Sequence, residues 1–183
     1  LQRCGGDRIH DGRNGMTATR ASVIVVSRHR ATELPLCLLS LAQQDHSAFE
    51  IIVVADPAGI AAAQATGLAV RTLPFDEPNI STARNLGLSH AGGDIVAFID
   101  DDAVAEPTWL SRLCAAFEIP DVIAATGFIR GRNGISFQWQ ACEVDAQGLD
   151  HPLAPDGALY PGQATRAVKT QGTNCAFRRA VLA

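Results

Sequence analysis

The apolar run Ile95-Val96-Ala97-Phe98-Ile99 ends in three consecutive aspartates, Asp100, Asp101 and Asp102. A run of Ile, Val and Phe without polar alternation reads as a strand buried on both faces. Three carboxylates at its end sit close enough to repel one another and resist ionising together. A divalent cation relieves that conflict. Mg²⁺ and Mn²⁺ take carboxylate oxygens, and Mg²⁺ usually completes its shell with substrate phosphates and water. In open α/β sheets, ligands bind at the carboxyl ends of strands. The pattern predicts a metal–phosphate site. The bland alternative is a solvated acidic turn leading into a helix that starts near Glu106-Pro107.

The rest of the chain supplies a matching context. Ser22 to Ser27 and Ile51 to Ala55 read as two more buried strands, the second ending at Asp56-Pro57. Thr32 to Gln44 carries apolar positions at helical spacing, with Thr32 as the expected N-cap. Gly59 to Gly67 is Ala-rich and expected to be helical, and Leu68 to Leu73 is a short strand. Asn79 to His90 reads as a helix capped by Asn79 or Ser81, Pro107 to Phe117 as another helix, and Val122 to Thr126 as a further strand. Strands alternating with helices predict an α/β fold: a mostly parallel central sheet with helices on both faces. From Gly127 to Gln171 the chain is rich in Gly and Pro with few periodic runs, a loop-rich stretch expected to be functional or mobile. Phe177 to Ala183 reads as the start of a helix, so the sequence looks cut within an element.

Composition narrows the class. The 183 residues suit one domain with a real core. A net charge of −4 provides no basic footprint for nucleic acid, and no apolar stretch reaches the ~18 residues needed to span a bilayer. Five scattered cysteines without a C-x-x-C predict reduced thiols and a cytoplasmic setting. Residues 1–15 lack periodicity and an apolar signal-peptide core, so residues 1–19 are expected to be a disordered leader.

The order of these features resembles the family 2 glycosyltransferases. ASVIVVSRHR followed by LPLCLLSLAQQ is similar to that family's first strand and helix, and FEIIVVADP to its second strand. NISTARNLGLSHAGGDIVAFIDDDAVAEPTWL resembles its most diagnostic stretch, and GTNCAFRRAVL its later G-x-N-x-A-x-R-R segment. The resemblance implies a GT-A-type, Rossmann-like sheet with a donor-binding subdomain over residues 20–127 and a loop-rich acceptor-side segment over 128–183. It implies metal-assisted transfer of a sugar from a nucleotide-diphosphate donor to an acceptor hydroxyl, with inversion. The donor nucleotide-binding residues it implies are Asp56, Arg84, Asp100 and Asp101. Asp102 and Asp100 would hold Mn²⁺ or Mg²⁺, with Asp102 the better ligand and Asp101 the ribose contact. Acceptor-side candidates are Trp139 and Asn174, and the acceptor would be a saccharide or a lipid-linked sugar, with the enzyme at the inner face of the membrane. The family's catalytic base lies in an acidic motif expected beyond Ala183, leaving a chain that is weakly active or inactive.

Each assignment has a structural rival. Asp56 before Pro57 also fits a helix N-cap, and Arg84 a solvated helix face. Trp109 reads as packing. Phe137 and Trp139 suit an acceptor sugar or the core equally. Arg130 and Arg132 suit a phosphorylated acceptor or a solvated loop. Glu143 and Asp145 align with no base, and His29, His46, His90 and His151 have no metal-ligand spacing. Asp100-Asp101-Asp102-Ala103-Val104 also matches the nucleophile loop of haloacid-dehalogenase-type phosphatases. That loop normally follows a first strand, and it needs a later lysine and acidic pair, where only Lys169 is available. A dinucleotide-binding dehydrogenase fails for lack of G-x-G-x-x-G after a strand. A non-catalytic sugar-nucleotide-binding fragment stays open.

Overall fold

The computed structural model describes residues 19–139, 142–144, 150–152 and 170–182. Strand β1 (Ala21–Ser27) leads to helix α1 (Leu34–Leu41), β2 (Phe49–Ala55), α2 (Pro57–Ala65), β3 (Val70–Pro74), α3 (Ile80–Ser89), β4 (Ile95–Asp100) and α4 (Trp109–Ala116). Short strands follow: β5 (Ala124–Thr126), β6 (Ile129–Arg130), β7 (Phe137–Trp139), β8 (Cys142–Val144) and β9 (Asp150–Pro152). The described chain closes on β10 (Asn174–Arg178) and a 3₁₀ turn at Arg179–Val181.

Six strands form one sheet in the order β3-β2-β1-β4-β10-β5. The first four are parallel, and β10 runs antiparallel between β4 and β5. The sheet is the mostly parallel one the sequence predicts. Alternate side chains of each central strand serve opposite faces. Val23 and Val25 of β1, Val53 of β2 and Ala97 and Ile99 of β4 pack with Leu34, Leu38 and Leu41 of α1 and Leu110 of α4. Ile24, Ile52, Val54, Val96 and Phe98 face the other way, with Ala83 of α3 and Cys175. Burial on both sides explains why these strands are continuous apolar runs.

The chain order makes β1 the turning point. After β1 it winds outward through β2 and β3, then returns to lay β4 on the other flank, with Val25 beside Ile99 and Val26 beside Asp100. The two crossovers diverge at the carboxyl ends of β1 and β4, leaving the crevice where α/β sheets bind ligands. The entry to β4 is tight: a Cβ on Gly93 would fall 2.6 Å from backbone atoms of Ala21 and Ser22. Gly93 N–H instead donates to Ser22 Oγ at 2.9 Å.

Two local expectations are corrected. Thr32 does not cap α1. Its hydroxyl donates to the Glu33 carboxylate at 2.6 Å, and the N-cap position falls on Glu33 with no side-chain cap bond. Phe177 and Arg178 do not begin a helix. They finish β10, where Cys175, Ala176 and Phe177 pair with Phe98, Ala97 and Val96, and only a single 3₁₀ turn follows. A short apolar run carries too little periodicity to separate strand from helix. Within the loop-rich stretch, β6 pairs with β7 and β8 with β9, each antiparallel. The leader up to residue 18, and the parts of the acceptor-side segment at 140–141, 145–149 and 153–169, lie outside the described residues.

Among the described residues, Cys37, Cys114 and Cys175 are buried free thiols. Burial pushes Cys37 up to about 12 and the other two to about 11, so none is a nucleophile at neutral pH. No helix among the described residues is long and apolar enough to cross a membrane.

Candidate functional site

The crevice is lined by the segment after β1, by the end of β4 and by the N-terminal part of α3. The outer members of the aspartate triplet are the accessible ones. The side chains of Asp100 and Asp102 are 42% and 35% exposed, that of Asp101 only 8%. Burial pushes the Asp101 carboxyl above its ordinary range, against the neighbouring Ser27 hydroxyl and the Arg30 charge. Like-charge repulsion within the triplet is met here by arginines. Arg30 Nη1 donates to Asp102 Oδ2 at 2.8 Å and to Asp101 Oδ1 at 3.3 Å. Arg84 Nη2 reaches Asp100 Oδ1 at 3.4 Å, and the fully exposed Arg132 comes to 3.9 Å from Asp102.

Arg84 projects from α3 with its guanidinium 5.5 Å from the Phe98 ring centroid. Its Nη2 also donates to Gly172 O at 3.0 Å, which ties the segment before β10 to the end of β4. A side chain at Gly172 would collide with this contact, since a Cβ there would lie 2.9 Å from Arg84 Nη1. Two openings flank Asp100. One, of about 470 Å³, runs past Ser27, Arg30, Val54, Phe75 and the three aspartates. The other, of about 380 Å³, is bordered by Ile80, Arg84, Asp100, Ile129, Gln138 and Thr173.

Asp56 lies at the carboxyl end of β2 and caps α2. Its Oδ1 accepts from Gly59 N–H at 2.8 Å and its Oδ2 from His29 N–H at 2.9 Å. These amides, that of Gly59 first, hold its carboxyl below the ordinary range. The helix-cap rival for Asp56 is therefore observed. His29 adopts φ 58°, the left-handed region a non-glycine residue rarely enters, and this aims its amide and its Nδ1, at 3.0 Å, toward Asp56. Ligand atoms of His29, Asp56 and Asp76 lie within 4.8 Å of one another, and among the described residues no other trio of His, Cys, Asp or Glu does. Sequence spacing concealed this cluster, because its members come from three separate loops. Asp76 already receives Arg28 Nε at 3.0 Å, and His29 Nε2 stands 4.0 Å from it, beyond hydrogen-bonding distance.

The acceptor-side candidates fall differently. Asn174 is buried at the start of β10. Its Oδ1 accepts from Trp109 Nε1 at 2.9 Å and its Nδ2 donates to Phe128 O at 3.0 Å, so its carboxamide clamps α4 to the strand ends. Trp109 is, as expected, a packing residue with one polar tether. Trp139 sits opposite Ile129 in the β6–β7 pair, with its side chain outside the described set. Phe137 packs on Phe128 and under the Arg130 guanidinium, and Arg130 also meets Glu106 at 3.2 Å. Asp145 and the Glu143 side chain lie outside the described residues. Sequence reasoning missed Arg30, His29 and Ser27. The one available signal was that SRHR directly follows a buried strand.

A strand-end triplet at a topological switch point, flanked by arginines and a capped aspartate one strand away, agrees with the family model for glycosyl transferase family 2, which matches residues 22–182. The chain belongs to that family. Among curated relatives, succinoglycan biosynthesis protein ExoM of Rhizobium meliloti is 34% identical over 121 residues, covering 61% of this chain and 39% of ExoM. A glucosyl-dolichyl phosphate glucuronosyltransferase of Haloferax volcanii is 45% identical over 51 residues, 27% of this chain and 16% of the relative. Among solved structures, the mannosyltransferase PcManGT of Pyrobaculum calidifontis, in complex with GDP-Man and Mn²⁺, superposes with a TM-score of 0.67 at 21% identity. The match covers 91% of this chain and 46% of that one. S. aureus TarS 1-349 in complex with UDP gives 0.63 at 22% identity, over 90% of this chain and 48% of that one. These two likenesses establish the GT-A fold. The chain spans well under half the length of the relatives it matches. Membership of glycosyl transferase family 2, with Asp100 on the fourth strand and not the first, sets the phosphatase reading aside.

Proposed function

We propose that this chain binds a nucleoside-diphosphate sugar across the carboxyl ends of β1 and β4, and that the site serves metal-assisted transfer of the sugar to an acceptor hydroxyl with inversion. The observation that carries the reading is the pair of openings meeting at Asp100, with carboxylates and arginines on the same rim. Residues 20–127 form the donor half and 128–183 the acceptor side. Asp56 accepts a hydrogen bond from the base, Asp101 contacts the ribose and Arg84 faces the phosphates, where its fork suits their oxygens.

Asp102 and Asp100 fit a hard cation, because they offer accessible carboxylate oxygens and no nitrogen or sulfur. Mn²⁺ or Mg²⁺ held by these two residues would supply positive charge to the departing diphosphate. Arg84 adds a second charge to the same phosphates. The acceptor hydroxyl approaches the anomeric carbon from the face opposite the leaving phosphate, so configuration inverts, and its proton passes to a carboxylate base. That base is proposed to lie outside this chain. Trp139 and Asn174 remain acceptor-side proposals, Asn174 through its hold on Phe128 and Trp109. A saccharide or lipid-linked acceptor at the cytoplasmic face of a membrane completes the proposal. One relative is named a succinoglycan biosynthesis protein and another a glucosyl-dolichyl phosphate glucuronosyltransferase.

Calorimetric titration with UDP and GDP, with Mn²⁺ and with EDTA, tests the donor half. Cation-dependent binding of one of them, lost in Asp102→Ala, is expected. Binding indifferent to EDTA and to that substitution would reject the site.

A further inference from the structure

We propose that Arg30 is an internal counter-ion of Asp101 and Asp102 that passes to the donor's diphosphate when a cation takes Asp102. The inference rests on the donor-site reading above and adds to it a residue which that reading does not use. Arg30 occupies the place a cation would compete for: one nitrogen, Nη1, binds both Asp101 and Asp102. Among the described residues its Nε and Nη2 make no hydrogen bond, and half of its side chain is exposed. It stands on the short segment after β1 and lines the same opening as the aspartates. The guanidinium is therefore held at one corner, beside the opening in which the diphosphate is proposed to lie, and an arginine fork matches phosphate oxygens.

A buried neighbour makes the exchange feasible. Losing Arg30 would strip Asp101 of a cationic partner. Ser27 Oγ lies beside that carboxyl and is the one buried side-chain polar atom among the described residues without a hydrogen-bond partner. That hydroxyl already favours the charged form of Asp101, and a small shift of either side chain would complete a hydrogen bond to it once Arg30 leaves, so the carboxylate is not orphaned. Coupling follows from this arrangement. A cation binding alone has to displace Arg30 and leave the arginine without an anion. A diphosphate offers Arg30 that anion, so each ligand favours the other by the same factor.

The test measures Mn²⁺ alone by the paramagnetic signal of the free ion, and UDP and GDP by calorimetry at saturating Mn²⁺, in wild type, Arg30→Gln and Arg30→Lys. Arg30→Gln should bind Mn²⁺ alone about fivefold more tightly, as expected when a competing exposed ion pair is removed. It should bind the nucleoside diphosphate about tenfold more weakly, from loss of a charge-assisted contact. The enhancement of Mn²⁺ affinity by nucleotide should shrink accordingly. Arg30→Lys, with the charge but not the fork, should fall between the two, and it provides the readout if the glutamine variant fails to fold. Unchanged or weaker Mn²⁺ binding in the variants, or undiminished nucleotide affinity, would overturn the exchange while leaving the donor site standing. Wild type that binds neither UDP nor GDP at any Mn²⁺ concentration would overturn the donor-site reading, and this inference with it.

Discussion

The two oxygens of Asp56 are divided between a helix start and a strained loop, Oδ1 on the Gly59 amide and Oδ2 on the His29 amide. Because these bonds favour the charged form, its folded pKa lies below the ordinary 3.8. Its contribution to stability is full above that value and is lost as pH falls through the lowered one. Asp56→Asn keeps one acceptor but sets an NH₂ against a second amide. Urea unfolding should show it destabilised by about 1–2 kcal/mol at pH 7, as for a lost cap, with the difference from wild type narrowing below pH 4. The prominent site residues were legible because each stands at the end of a readable element: Asp56 after β2, Asp100 to Asp102 after β4, Arg84 on α3. Arg30, Ser27 and His29 were not legible. The roles of Arg30 and Ser27 exist only because β1 lies beside β4, which brings Arg30 to partners 71 and 72 residues away, and that of His29 because β1 also lies beside β2, which leads to Asp56. Asp100 to Asp102 alone suggested that a metal must relieve the repulsion, whereas the structure supplies arginines for part of that task.

Among the elements, β10 is the one the sequence misstated. Its apolar stretch is three residues long, too short for a period to declare itself, and its true register is set by β4. The long strands were readable since burial on both faces leaves them no polar alternation. What secures β10 at its start is Asn174, whose Oδ1 depends on a single donor from α4. Trp109→Phe preserves most of the apolar contact and removes that donor. It should cost about 1–3 kcal/mol, the penalty for an unsatisfied buried acceptor, read by urea unfolding, with faster amide exchange in β10 as the local sign. Three elements also carry buried thiols: Cys37 in α1, Cys114 in α4 and Cys175 in β10. Iodoacetamide at pH 8 should leave these three unlabelled in native protein and label them in urea, as read by peptide mass spectrometry. Their pKa values, raised from 9.0 to about 11–12, add a stability term that is complete below pH 9 and lost as pH rises toward them.

For the whole molecule, the sheet order decides where a ligand goes. One core reaches the crevice through Val54 and Ala83, so the site is built on rigid strand ends while its remaining walls are loops and one helix terminus. A ligand held there binds the folded chain alone. At one hundred times its dissociation constant, a nucleoside diphosphate with Mn²⁺ should stabilise the fold by about 2.7 kcal/mol. A rise in melting temperature of roughly 5–10 °C should follow for a chain of this size. Nucleotide added with EDTA should give a markedly smaller shift. The placement of β10 has a further consequence during synthesis. The strand that separates β4 from β5 is the last of the six to be made, and β5 has no other partner in the sheet. Asn174 follows its β4 partner Ile99 by 75 residues, so a ribosome adding about 5–20 residues per second leaves the open edge of β4 uncovered for roughly 4–15 s. For that interval the nascent chain presents an unpaired apolar strand edge, the kind of surface on which chains aggregate, and chaperone contact with this protein should concentrate there.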